Sequence, residues 1–173
     1  MPKLDLIVHP IRLRLIQAFS PGDRLTAHQL AARLPDIPPA TLYRHLGALV
    51  RGGVLAATID ALSDCTQACA ADADADLSEP NVAELVKCIR LCLECTDVCG
   101  ATVGLVSRQA EYDANVAIPL LEACVATCKS CGDECERHAR MHEHCRVCAE
   151  ACRRCEQACR ELLAAMSLPA AMK

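Results

Sequence analysis

Fourteen of the fifteen cysteines in this chain fall into seven pairs spaced four residues apart. The pairs are Cys65/Cys69, Cys88/Cys92, Cys95/Cys99, Cys124/Cys128, Cys131/Cys135, Cys148/Cys152 and Cys155/Cys159, with Cys145 standing three residues before Cys148. Alternating steps of four and three give C-x3-C-x2-C-x3-C at 88–99, 124–135 and 148–159. An α-helix turns about 100° per residue, so steps of four, three and four return to within about 40° of the start. Each run is therefore a stripe of thiols along one helix face, where Leu and Val would otherwise line a bundle core.

Composition points the same way. Phe19, Tyr43 and Tyr112 are the only aromatic residues in 173, so a core must come from Leu, Val, Ile, Ala and Cys. Long Ala-, Leu-, Glu- and Arg-rich stretches with few β-branched residues favour helix. The net charge of -4 hides an asymmetry: residues 1–57 carry seven Lys/Arg against three Asp, and the remainder eleven against nineteen acidic groups. A basic front on an acidic body suggests two modules, 1–57 and 58–173, with different partners.

The N-terminus carries no apolar secretion signal, and no apolar run reads as long enough to span a bilayer. The expected location is the cytoplasm, with no membrane partner. Thiols stay reduced there, so this many cysteines read as metal ligands sooner than as disulfides. Helices in a bundle lie about 8–10 Å apart, whereas a disulfide needs Cα atoms within about 7 Å.

In the front, His9-Pro10 opens a helix with Pro in its first turn. Ile11, Leu13, Leu15, Ile16 and Phe19 form its apolar face, and Pro21-Gly22 ends it. A second helix, Thr26 to Leu34, has Thr26 as N-cap and buries Leu30, Ala31 and Leu34. Pro35-Asp36-Ile37-Pro38 makes a turn. A third helix runs from about Pro39 to Arg51 with Leu42, Leu46 and Leu49 inward, Gly52-Gly53 terminates it, and Val54-Leu55 begins an extended segment.

The stretch "HPIRLRLIQAF…TAHQLAARLPDIPPATLYRHLGALVRGGVL" resembles the winged helix-turn-helix of bacterial transcription regulators, with "ATLYRHLGALV" as the recognition helix. The resemblance implies that Thr41, Tyr43, Arg44 and His45 face a DNA major groove and that Arg12, Arg14 and Arg51 contact phosphates. The wing is missing or truncated, because the chain after "GVL" runs straight into the cysteine helices. A small three-helix domain that folds without binding DNA is the competing reading.

In the body, four helices are expected at about 58–77, 81–109, 113–139 and 142–166, with Ser78-Glu79-Pro80 as a break, Pro119 in or kinking the first turns of the third, and Pro169 in a frayed tail. Short links make antiparallel neighbours, so the expected fold is all-α: an up-down-up-down four-helix bundle with a Cys-lined core, preceded by a small helix-turn-helix domain.

"CIRLCLECTDVC" (88–99), "CVATCKSCGDECERH" (124–138) and "HCRVCAEACRRCEQAC" (144–159) resemble the cysteine-rich four-helix-bundle copper storage proteins. The resemblance covers about two thirds of the chain. It implies many Cu(I) ions inside the bundle, held by Cys65, Cys69, Cys88, Cys92, Cys95, Cys99, Cys124, Cys128, Cys131, Cys135, Cys145, Cys148, Cys152, Cys155 and Cys159. It also implies homo-oligomers formed through the outer bundle faces. The sequence holds no Ser/His/Asp set with supporting context, no phosphate-binding Gly loop and no hydrolase motif, so a binding protein and not an enzyme is expected.

Coordination chemistry supports the same metal. Cu(I) is soft, prefers thiolate and accepts two ligands, which cysteines four apart can supply from one face. A Cu(I) on two unshared thiolates leaves net negative charge in a dry core. Sharing thiolates between ions, towards one copper per cysteine, cancels it and favours a filled core of order ten ions. Zn(II) reaches neutrality with two thiolates per ion but wants four tetrahedral ligands, so zinc storage is an alternative.

His138, Met141, His142 and His144 cluster at the link between the last two helices. At the same end, Asp72 and Asp76 continue the stripe that starts at Cys65 and Cys69, where the resemblance implies cysteine. The expectation is a hydrated acidic and imidazole entrance that draws cations in. Asp74 joins that run, and three acids near a helix C-terminus oppose the macrodipole. Carboxylates suit Cu(I) poorly, so this corner should hold less copper. The leading function is cytosolic copper storage or buffering, supplied by a copper chaperone or a small-molecule copper carrier. The alternative is a copper-responsive DNA-binding regulator.

Overall fold

The computed structural model describes residues 9–18, 25–108 and 113–167. Phe19, the Pro21-Gly22 stop, Gln109 as a helix end and the Pro169 tail lie outside them. The described residues form six helices, α1 (Pro10–Gln17), α2 (Ala27–Arg33), α3 (Pro39–Ser78), α4 (Val82–Val106), α5 (Ala114–His138) and α6 (Glu143–Ser167), and no strand occurs among them. They divide into two compact units, one reaching Ala56 and taking in the chain from Ala165, the other Ala57–Ala164.

In the front unit, His9 caps α1 by accepting the Ile11 N–H on Nδ1 at 3.2 Å, and Pro10 sits where its missing N–H costs nothing. Thr26 and Gln29 close a reciprocal capping box on α2. Leu15, Leu30, Leu34, Ile37 and Leu42 form the buried cluster, with Leu46 and Leu49 packed against it. Leu13 and Ile16, expected inward, are 43% and 42% exposed. Ile37, from the turn, takes a place in the core instead.

The expected stop at Gly52-Gly53 is corrected. The helix runs unbroken for 40 residues through Val54 and Leu55, which are helical and not extended. Glycine permits a helix end without requiring one. Its cost of about 1 kcal/mol against Ala is outweighed where Leu, Val and Ala on both sides favour helix and no Pro intervenes. With the break gone, α3 is by length and composition alone apolar enough to cross a membrane, which corrects the expectation that no run was.

The second unit is a four-helix bundle, and its thiol contacts give the topology. Cys65 of α3 meets Cys99 of α4 while Asp72 meets Cys88, so these helices run in opposite directions. Cys99 meets Cys124 and Cys88 meets Cys135, reversing α4 against α5. Cys131 pairs in space with Cys148 and Cys124 with Cys159, reversing α5 against α6. The order is up-down-up-down. Leu62, Leu121 and Leu162 fill the end remote from the histidines, each contributing about 1.5–3 kcal/mol by burial. There the buried Thr58 hydroxyl donates to the Ala158 carbonyl at 3.1 Å, and that of Thr102 to Val98 at 2.7 Å. Asp113 caps α5 by accepting the Asn115 N–H at 2.9 Å, and Pro119 lies inside the helix.

Candidate metal centre

Helical spacing turns every cysteine inward. All fifteen are fully buried and all are free thiols. Their sulfurs form a continuous ladder along the bundle axis. Cys92 lies 3.5 Å from Cys131, Cys131 3.9 Å from Cys69, and Cys69 3.6 Å from Cys152. Cys152 is 3.8 Å from Cys65, Cys65 3.9 Å from Cys99, Cys99 3.5 Å from Cys124, and Cys124 3.8 Å from Cys159.

Within the ladder the donors fall into groups of four. Cys65/Cys99/Cys128/Cys155, Cys65/Cys69/Cys95/Cys152, Cys69/Cys131/Cys148/Cys152 and Cys92/Cys131/Cys135/Cys148 each bring their sulfurs within 4.8 Å of one another. Consecutive groups share members: Cys65 joins the first two, Cys69 and Cys152 the next pair, Cys131 and Cys148 the last. A thiolate common to two groups can bridge metal ions, which is what a charge-neutral core of monovalent ions requires. Burial in a dry core favours the neutral thiol over the thiolate. Contact with Cys124 and Cys155, together with burial, pushes the Cys159 thiol up. Cys88, burial and the Asp72 and Asp76 carboxylates do the same to Cys145.

The histidine end differs from the expectation in one respect. Asp72 and Asp76 are buried, 1% and 0% exposed, and belong to the core, not to a hydrated entrance. Their register on α3, three and seven residues after Cys69, points them down the same stripe as the thiols. Asp72 Oδ2 accepts the thiols of Cys92 at 3.1 Å and Cys135 at 3.4 Å, and Asp72 groups with Cys88, Cys92 and Cys135 as a potential ligand. Asp74 faces outward and is exposed.

His144 is the link to the surface. It is 23% exposed, and its Nδ1 lies 2.7 Å from Asp72 Oδ1 and 3.5 Å from Asp76 Oδ1. Burial works against its charge, but Asp72 and Glu79 outweigh it and raise its pKa. Burial raises Asp72, and burial with Cys88 and Asp72 pushes Asp76 up to about 7. His142 is buried, with Nδ1 3.2 Å from Glu79 Oε1. His138 is partly buried beside Glu134 at 3.5 Å, and Met141 is 73% exposed. The sequence reading missed Glu79, which it treated only as part of a helix break. Its Oε1 touches both His142 and His144 and is held below the usual carboxylate range by them. Its signal was its place three residues past Asp76, a helical step that continues the Asp72–Asp76 stripe.

In the front unit the four positions assigned to a DNA groove do not share one exposed face. Tyr43 and Arg44 are exposed and Thr41 is half-buried. His45 is buried, its ring 4.2 Å from that of His9, which corrects its assignment to a groove-facing surface. Burial, then His9, Arg44 and Arg12, lowers its pKa. Arg14 is engaged in a two-pronged bond to Asp36 at 2.6 and 2.8 Å, and Arg51 is exposed.

Residues 7–57 match a helix-turn-helix domain family. The chain is 59% identical to a cytosolic copper storage protein from Streptomyces lividans, in a structure of its loading with five coppers, over 67% of this chain and 96% of that one, with a TM-score of 0.65. A structure of that organism's copper storage protein loaded with 10 copper equivalents matches at 60% identity over 65% of this chain and 86% of that one, with a TM-score of 0.64. A cysteine-rich protein of Bacillus subtilis, YhjQ, is 35% identical over 95 residues, 55% of this chain and 82% of its own length. Residues 53–164, which hold every thiol of the ladder, match the copper storage protein family, and the chain belongs to that family.

Proposed function

We propose that this protein stores copper in the cytosol as many Cu(I) ions bound to the thiol ladder, and that it does so by binding, without turning over a substrate. The observation that carries this reading is the chain of four-sulfur groups with shared members. Cu(I) favours thiolate and low coordination, and bridging thiolates bring the core towards one copper per cysteine without excess charge. The Streptomyces lividans relatives, cytosolic and loaded with copper, support both the metal and the compartment. Isolated sites would suit a sensor; a ladder along the whole bundle suits capacity. Met141, His138, His142 and His144 form the way in, and a copper chaperone or a small-molecule carrier delivers the ion there.

Anaerobic titration of the reduced metal-free protein with Cu(I) against a competing chelator tests the proposal. Uptake of about ten ions or more per chain before the chelator reports free copper supports storage. Saturation at one or two ions, or preference for Zn(II) in a competition, overturns it.

The helix-turn-helix match over residues 7–57, with Tyr43 and Arg44 exposed, favours a second role in binding DNA. A footprinting assay with and without Cu(I) tests it, and absence of protection in both conditions sinks it. Homo-oligomerisation through outer bundle faces is tested by light scattering.

A further inference from the structure

At the histidine end the bundle gathers a donor set unlike the thiol ladder. Four atoms converge there, Asp72 Oδ1, Asp76 Oδ1, His144 Nδ1 and Cys145 Sγ. His144 Nδ1 is 2.7 Å from Asp72 Oδ1 and 3.5 Å from Asp76 Oδ1. Cys145 Sγ is 3.5 Å from Asp76 Oδ1 and 3.6 Å from His144 Nδ1. A tetrahedral Zn(II) with bonds of about 2.0–2.3 Å holds its ligand atoms about 3.3–3.8 Å apart. Three of the four contacts already have that spacing. The fourth, Asp72 to His144, is at hydrogen-bond distance and opens by under about 1 Å to admit an ion.

A second observation points to a ligand. Asp76 is fully buried, and its Oδ2 has no hydrogen-bond partner; the Nε2 of His142, a residue only 7% exposed, is unpartnered as well. Native structures rarely leave such groups unpaired, and a bound cation would satisfy the carboxylate. Glu79 completes the arrangement. Its Oε1 lies 3.3 Å from His144 Nε2, so an N–H there donates to Glu79 and leaves the Nδ1 lone pair facing the acids. Cu(I) prefers the thiols deeper in the bundle, whereas Zn(II) accepts oxygen, nitrogen and sulfur together.

We propose that Asp72, Asp76, His144 and Cys145 form a mixed oxygen–nitrogen–sulfur site for one borderline divalent cation of the Zn(II) class, distinct from the thiolate store. Anaerobic titration of the reduced, metal-free full chain with Co(II), followed by displacement with Zn(II), tests it. The first equivalent should give the visible bands of tetrahedral Co(II) with the sulfur-to-metal charge-transfer intensity of one thiolate, about a quarter of a four-thiolate reference. Cys145→Ser should remove that charge-transfer band, and Asp76→Asn should weaken binding by about tenfold or more. A first equivalent with four-thiolate intensity, an octahedral spectrum, or affinity unchanged in Asp76→Asn overturns the site. Helical circular dichroism and the thermal midpoint of the same variants establish that the bundle is intact. A wild-type protein that stores no Cu(I) yet shows the single-thiolate spectrum keeps this site while overturning the storage reading.

Discussion

His144 Nδ1 stands 2.7 Å from Asp72 Oδ1, and the other oxygen of Asp72 accepts the Cys92 thiol at 3.1 Å. Two contacts thus carry a partly exposed imidazole to the first rung of a sulfur ladder that continues to Cys159. An ion handed to His144 need not cross an apolar layer to reach thiolate. His142 and His138 flank that route, one beside Glu79 and the other beside Glu134. Replacing His138, His142 and His144 together by Ala should slow Cu(I) uptake several-fold in stopped-flow transfer from a chelated donor. Equilibrium capacity should stay within an ion or two of wild type, because the thiols that set it are untouched. Equal rates in the two proteins would place the entrance elsewhere.

Loading should release protons. Two thiols at opposite ends of the ladder favour the protonated form, Cys159 through its sulfur neighbours and burial, Cys145 through Cys88, burial and two carboxylates. Only the thiolate binds Cu(I) well. Titration in weakly buffered solution at pH 7 should release about one proton per cysteine engaged, rising until the ladder is full. A release far below that would mean thiolates already present in the metal-free core.

The metal-free bundle should gain stability on mild acidification. Asp76 has its pKa raised from 3.8 to about 7 by burial, Cys88 and Asp72. Below 3.8 the group is protonated in folded and unfolded chains alike. Between there and about 7 only the folded protein keeps the proton, so the stabilisation it confers is lost as pH rises through that window. His144 acts in the same direction, since its raised pKa gives stability present below the ordinary imidazole value and lost above the raised one. The thermal midpoint should therefore be higher at pH 5.5 than at pH 7.5, and Asp76→Asn should flatten the difference. A midpoint that rises with pH would contradict the assignment.

These residues also mark what a sequence can and cannot say. The thiol positions were legible because helix geometry alone fixes which face a four-three-four spacing occupies, and no partner is needed to read it. Asp72 and Asp76 were legible as members of the stripe but not as buried groups. Their burial depends on His144 and Cys145 from a helix about seventy residues later, and on carboxylates tolerating a core through those contacts. Gly52-Gly53 misled because a permissive residue was read as an instruction. Ile37 was lost among prolines that signal a turn, although its side chain fills the front core. His45 sits in the most regulator-like stretch of the sequence, yet it is buried with its ring against that of His9.

Gly132 lies where α5 approaches α6 closely. It is buried, and a Cβ built on it would lie 3.3 Å from Cys152 Cβ and 3.2 Å from the Arg153 guanidinium. The guanidinium is the far end of a flexible side chain, although bonds to Asp133 and Glu136 restrain it. Cys152 Cβ is one bond from the backbone and can yield only if α6 moves. Overpacking of this kind costs about 1–3 kcal/mol, against a gain of about 1 kcal/mol for Ala over Gly in a helix. The balance is destabilising, so Gly132→Ala should lower the thermal midpoint of the metal-free protein. It should also disturb the Cys69/Cys131/Cys148/Cys152 group, which takes ligands from both sides of the contact, and cost Cu(I) capacity there. An unchanged or higher midpoint with full capacity would mean that Arg153 alone absorbs the methyl group and that the helix spacing has slack.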